Sequence, residues 1–256
     1  MKVFTSHKSK SLIKKVFVLA FWVFIWQTVY MIVNKDLLIA SPYQVGLCLF
    51  ELALKKEFWF ITFSSLIKII SGFLLGVFFG TLLAVVTCSV QFLYDLFYPI
   101  ISIVRSTPVA SFIILALVWI KRENISLFIC FLMVLPIVWA NVSQGVHSVD
   151  GKLLEMGKVY KFSRGMLLKK IYIPSVLPSF ITAMTTSLGL SWKAGIAAEV
   201  LSTPKNYIGT QLYNSKVYLE TDKLFAWTLV VIILSFILEK VVVKILNSLM
   251  KRRVKQ

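Results

Sequence analysis

Thr62–Thr87 reads TFSSLIKIISGFLLGVFFGTLLAVVT, with Lys68 as its single ionisable side chain. A run this long and this apolar is read as a membrane-crossing helix, because the hydrocarbon core takes about 20 mostly apolar residues. A helix also satisfies its own backbone hydrogen bonds in lipid. The strands of an outer-membrane barrel alternate polar and apolar at every second residue, and this stretch does not. Gly72, Gly76 and Gly80 recur every fourth position and fall on one helix face. Small residues so spaced let a second helix backbone approach closely.

Working outward, five more apolar runs are read as spans, at about 14–33, 99–120, 125–143, 173–200 and 224–247. The run at 99–120 is interrupted by Pro99 and Pro108. Hydrophobic residues make up 58% of the 256, against about 45–50% in soluble domains. The expected fold is all-α: a polytopic membrane bundle of about six transmembrane helices with a cytoplasmic helix between two of them. The organisation follows. Residues 1–58 carry a cytoplasmic tail, a first span and an extracytoplasmic connector with a short helix near Pro42. Residues 59–247 form the main transmembrane domain, and 248–256 a basic tail. The first run is longer than a signal-peptide core of about 7–15 residues and has no small-residue cleavage site, so it is read as a retained span. Residues 201–223 read as a polar loop.

The net charge is +17. Because the lysines and arginines flank apolar runs, they point to membrane edges and anionic lipid rather than to nucleic acid. With the N-terminus inside, one side holds the N-terminal lysines, the 144–172 segment and the C-terminal cluster. That side carries about twice as many Lys and Arg as the other, so it is the cytoplasmic one. Both termini are then cytoplasmic, in a multi-pass protein of the cell membrane.

No enzyme is visible. Gly145–Leu153 (GVHSVDGKL) has five residues between its glycines and Leu after Gly-Lys, where a phosphate-binding loop needs four residues and Ser or Thr. His7 and His147 form no metal cluster, and Cys48, Cys88 and Cys130 lack ligand spacing. The apolar runs hold a few charges, among them Lys68, Arg105, Lys193 and Glu199. Such charges line a polar path, or they snorkel to an interface. Lys68, the deepest, Lys193 and Glu199, with Trp192 beside them, are the candidates for a path or gate.

Glu155–Pro178 reads EMGKVYKFSRGMLLKKIYIPSVLP, a basic, helix-compatible interruption between two apolar runs. Leu153, Leu154, Gly157 and Tyr160 or Lys161 recur at helical spacing. On physics alone, residues 150–162 are either a basic helix lying on an anionic leaflet or a helix that docks into a partner's groove.

This segment resembles the cytoplasmic EAA loop of ABC-importer permeases. Glu155-Met156-Gly157 stands for the E-A-A, and Ile171, Ile173 and Pro174 fall where the pattern ends. The resemblance covers residues 59 to about 245. It includes Thr62–Thr87, LFYPIISIVRSTPVASFIILALVW with Arg105-Ser-Thr-Pro108, and SWKAGIAAEVLSTPKNYIGTQLYNS. The subgroup it is most similar to imports nitrate, sulfonates or taurine and includes carriers of thiamine-pyrimidine precursors. Lys161 stands where the family has a glycine that bends the loop. That requires either a bend moved toward Gly157 or Gly165 or another backbone form. The family glycine after the third helix is missing from WIKRENIS.

The resemblance implies a transport subunit without a cofactor of its own. ATP and Mg would reside on separate cytoplasmic ABC ATPase subunits. An extracytoplasmic solute-binding protein would deliver the solute, and a second permease copy, identical or not, would complete the pore. Glu155, Met156, Gly157, Tyr160 and Lys161 would contact the ATPase. The competing class is a secondary carrier or membrane assembly scaffold with no ATPase partner. Carriers show paired broken helices in two halves, a pattern this sequence does not display.

Overall fold

The computed structural model describes residues 4–254, and its regular elements are helical. In chain order these are α1 (Phe4–Val33), α2 (Pro42–Ala53), α3 (Lys56–Ser89), α4 (Gln91–Ser106), α5 (Val109–Trp119) and α6 (Arg122–His147). They continue with α7 (Gly151–Val159), α8 (Arg164–Leu167), a π-helical stretch (Leu168–Tyr172), α9 (Ile173–Ser202), α10 (Ile208–Val217) and α11 (Thr221–Val254). Among the described residues there is no strand. Four segments are long and apolar enough to cross a membrane: Val16–Val33, Lys56–Ser89, Arg122–His147 and the continuous Arg164–Ser202. The pair α4 and α5, bent by 104°, makes a fifth if counted as one span. The run at 224–247 lies inside α11.

Two sequence expectations change. The run at 99–120 is not one helix. It starts earlier, at Gln91, because Pro99 is tolerated inside α4. It breaks at Thr107, whose backbone is extended (φ −79°, ψ 135°). The ring of Pro108 disfavours helical geometry at the residue before it, which accounts for the break. The polar loop at 201–223 contains a ten-residue helix, α10.

The chain divides into two compact units. One comprises residues up to Trp59 together with Gln211–Val231. Its core joins Ala40, Val45, Cys48 and Ala226. Trp26 stacks on Phe225 at 5.8 Å and its indole N–H donates to the Ala40 carbonyl at 3.1 Å. α2 starts with a capping box: the Ser41 hydroxyl accepts from the Gln44 N–H, and the Gln44 amide accepts from the Ser41 N–H. That pairing satisfies two of the helix's orphan groups. No residue of Val16–Val33 is fully buried within the chain, as suits a helix with lipid for a neighbour along much of its surface.

The other unit, Phe60–Thr210 with Ile232 onward, is built around α6. Phe73, Ala84, Val134, Val138, Trp139, Ala183 and Leu188 form one core cluster from α3, α6 and α9. Ile113, Ala116, Ile125, Ile129, Ala194 and Ala198 form a second from α5, α6 and α9. α3 lies against α6 at its glycines. A Cβ on Gly72 would run into the Leu127 carbonyl and lie 2.7 Å from Cys130 Cβ. One on Gly76 would lie 2.6 Å from Val134 Cβ, and one on Gly80 2.8 Å from the Leu135 carbonyl. Gly195 does the same for α9, 2.7 Å from Cys130 Sγ. The Cys130 thiol in turn donates to the Ser191 carbonyl at 3.2 Å.

Arg164–Ser202 contains 39 residues, about 58 Å of helix at 1.5 Å per residue. That is about twice the hydrocarbon thickness of ~30 Å. The segment is therefore too long to lie wholly within the bilayer if it runs straight across, and α7 adjoins its Arg164 end. Pro174 sits in the first turn of α9, where a missing N–H is tolerated, whereas Pro178 lies inside the helix.

Candidate functional site

α7 begins at Asp150, whose carboxylate accepts from the Lys152 N–H at 2.9 Å. It packs inward through Gly157, which is buried. A Cβ there would meet Leu167 at 2.9 Å and Ile171 at 3.3 Å. Glycine lets the helix lie this close without displacing the tips of the Leu167 and Ile171 side chains. Gly157 therefore faces the chain's own loop, and it is not one of the outward residues the family pattern suggested.

The helix ends as a Schellman motif. The Phe162 N–H donates to the Gly157 carbonyl at 2.8 Å, and the Lys161 N–H to the Lys158 carbonyl at 3.0 Å. The Phe162 ring approaches the Gly157 position at 3.6 Å, supplying the apolar contact that accompanies such ends. Lys161 has φ 52°, in the left-handed region. The bend thus stays where the family glycine would be, and moves to neither Gly157 nor Gly165. Lysine adopts a conformation that costs an L-residue roughly 1–2 kcal/mol.

One prediction follows directly. Lys161→Gly removes that strain but loosens the unfolded chain, for a net gain of about 0.5–1 kcal/mol. Lys161→Val, β-branched at positive φ, loses stability instead. Thermal unfolding of the two purified variants checks the ordering, and equal midpoints would contradict the assigned backbone.

The outward face of α7 is apolar and open. Met156 is 41%, Tyr160 71% and Val159 79% exposed, and Leu153 adjoins them. Glu155 and Lys161 are also exposed. The sequence reading placed Met156, Tyr160, Glu155 and Lys161 on this segment but passed over Val159. Its signal was present: Val159 lies three residues after Met156 on the face opposite Gly157.

The path candidates do not converge. Glu199 is fully buried. Its Oε2 accepts from the Ser65 hydroxyl at 2.8 Å and from the Gly209 N–H at 3.1 Å. The Ser65 oxygen accepts in turn from the Ile208 N–H at 2.9 Å. Glu199 thus ties the end of α9 to α3 and caps the first turn of α10, where free N–H groups and the helix dipole favour a carboxylate. Gly209 is essential to this approach, since a Cβ there would run into the Glu199 side chain and lie 2.5 Å from the Val200 nitrogen. Lys68 donates to Asn124 Oδ1 at 2.7 Å. Asn124 is in the first turn of α6, so Lys68 lies level with a helix end and not with the centre of the bundle. Lys193 is exposed and Trp192 buried. Among the described residues there is no cluster of potential metal ligands.

Residues 72–256 match the family described as binding-protein-dependent transport system inner membrane component. SsuC of Bacillus subtilis (strain 168), named for aliphatic sulfonates transport, is 24% identical over 90% of this chain and 83% of its own length. The nitrate import permease protein NrtB of Synechocystis is 28% identical over 54% of this chain and 51% of its own. The taurine transport system permease protein TauC of Escherichia coli (strain K12) is 24% identical over 69% of this chain and 64% of its own. The chain thus spans between half and two thirds of the length of the latter two. A glycine-packed bundle of apolar helices with a capped helix held beyond its membrane-length segment agrees with that match, and the chain belongs to the binding-protein-dependent transport system inner membrane components.

Proposed function

We propose that this chain is the permease subunit of an ATP-driven importer of a small anionic solute, with α7 as its handle for a separate ATPase. The open apolar face of α7 carries the reading. Met156, Val159 and Tyr160 stand exposed on a helix that is capped at both ends and seated on Leu167 and Ile171. An exposed apolar patch rimmed by charge is a protein contact in waiting. Glu155 and Lys161 supply that rim.

The distribution of lysines and arginines supports a cytoplasmic side for α7 and both termini, where an ATPase would be met. Closure of an ATPase dimer would push α7, and the base under it would pass the movement into the long helix ending at Ser202. A bistable bundle biased in this way alternates access across the membrane. The family description implies a solute-binding protein on the other face, and a second permease copy would complete the path. An anionic solute agrees with the relatives named for aliphatic sulfonates and nitrate.

The test is co-purification from membranes in mild detergent. Val159→Glu/Tyr160→Glu buries two charges in the proposed contact. A cost of about 3 kcal/mol or more, over a hundredfold in affinity, is expected. The wild-type chain should retain an ATPase subunit that the folded variant loses. Equal retention by both would remove α7 from the coupling role.

A further inference from the structure

A second feature lies away from α7. Tyr98, Ile101, Ser102, Arg105, Ser106 and Trp139 line an open groove of about 300 Å³, in which Tyr98, Ser102, Arg105 and Ser106 are exposed on this chain. Tyr98, Ser102 and Arg105 share one face of α4, at helical spacing. Arg105 is in the last turn before the 104° break between α4 and α5. Trp139 forms the floor, with Tyr94 stacked on it at 5.1 Å and Tyr98 tilted at 6.4 Å. Its indole N–H is already given to the Thr87 hydroxyl at 2.9 Å. The Ser106 hydroxyl is likewise given to the Ile103 carbonyl at 3.2 Å.

What remains for a ligand is a set of donors. Among the described residues the Arg105 guanidinium has no ion pair, and the Ser102 and Tyr98 hydroxyls have no hydrogen-bond partner. No carboxylate lines the groove. A planar guanidinium fork flanked by hydroxyls suits a trigonal or tetrahedral oxyanion, which takes parallel N–H bonds from arginine. The aromatic floor accepts a small apolar body. Trp139 lies eight residues before the end of α6 at His147, ~12 Å along the helix, and ~25 Å from its start at Arg122. With α6 centred on the bilayer, the groove lies within the hydrocarbon thickness and not at its edge.

We propose that Arg105, with Ser102 and Tyr98, binds a small free oxyanion of the sulfonate or nitrate class on its way through the bundle. The site deepens the permease reading and rests on it. A lipid phosphate shares the same chemistry, and the depth favours the free solute.

The purified full-length chain is titrated with methanesulfonate and with sodium nitrate at constant ionic strength, and its unfolding midpoint is followed. A saturable rise is expected in wild type. Arg105→Gln should weaken the apparent affinity at least about tenfold, the effect of losing a charged hydrogen-bond partner. Arg105→Lys and Ser102→Ala should fall between. The same titration in nanodiscs of phosphatidylcholine, with and without phosphatidylglycerol, separates the sources. A midpoint that answers to phosphatidylglycerol through Arg105 but not to the added anions would overturn the solute site in favour of a lipid one. No saturable rise in wild type, or an unchanged affinity in Arg105→Gln, would also overturn it. If Arg105→Gln does not fold, Arg105→Lys and Ser102→Ala decide. Retention of the ATPase by the Arg105 variants is scored separately. If the ATPase is retained and anion binding is absent, the pocket fails while the permease reading stands. If no ATPase is retained even by wild type, the permease reading fails on its own.

Discussion

Glu199→Ala should lower the stability of the folded chain by on the order of 3 kcal/mol. The substitution strips two buried donors, the Ser65 hydroxyl and the Gly209 N–H, of their shared acceptor and leaves a cavity beside them. Glu199→Gln keeps one oxygen for both donors and should cost at most about 1 kcal/mol. The two variants therefore separate hydrogen bonding from negative charge. Thermal unfolding in detergent provides the comparison. If Gln proves as damaging as Ala, charge at the α10 terminus dominates. If both are silent, the tie between α9, α3 and α10 contributes nothing. The large expected effect reflects burial, since a donor orphaned away from water cannot recover its hydrogen bond elsewhere.

Gly72→Ala should be the second large effect. One added methyl group would run into the Leu127 carbonyl and press on Cys130 Cβ. A backbone oxygen cannot swing aside as a side chain can, so α3 must separate from α6. Overpacking of this kind costs about 1–3 kcal/mol, and a bilayer offers no hydrophobic gain to offset looser helix packing. Gly189→Ala, in α9, is the matched control, since nothing lies within 4 Å of the added carbon. It removes a flexible residue from a helix and should be neutral or stabilising by about 0.5–1 kcal/mol. Similar midpoints for the two variants would mean that α3 and α6 do not touch at Gly72.

The sequence reached some of this architecture and not the rest, for physical reasons. Long apolar runs announce membrane-length helices because lipid permits little else, and α7 was legible because its apolar spacing and its basic residues are local. The bend at Lys161 was not decidable from sequence. Lysine is a poor choice for positive φ, and only the pair of hydrogen bonds from Lys161 and Phe162 shows that the bend stayed in place. α10 was missed because its residues are polar and carry no amphipathic stripe, and its first turn is held by Glu199 and Ser65. Ser65 and Glu199 are 134 residues apart, beyond any spacing rule. The 104° bend between α4 and α5 was signalled by Pro108 but read as an interruption within one span. The groove it borders went unseen because Arg105 was weighed alone, without the hydroxyls that share its face.

Direction is what distinguishes the coupling reading from a helix that merely rests on lipid. A photo-crosslinking amino acid placed in turn at Leu154, Met156, Val159 and Tyr160, in cells and under illumination, reports which face of α7 has a neighbour and what that neighbour is. The outward positions Met156, Val159 and Tyr160 should each give one adduct of ATPase-subunit mass, and Leu154, half-buried within the chain, should give none. Adducts to lipid alone from the outward face, or ATPase adducts equally strong from Leu154, would contradict α7 as the handle through which an ATPase moves this bundle.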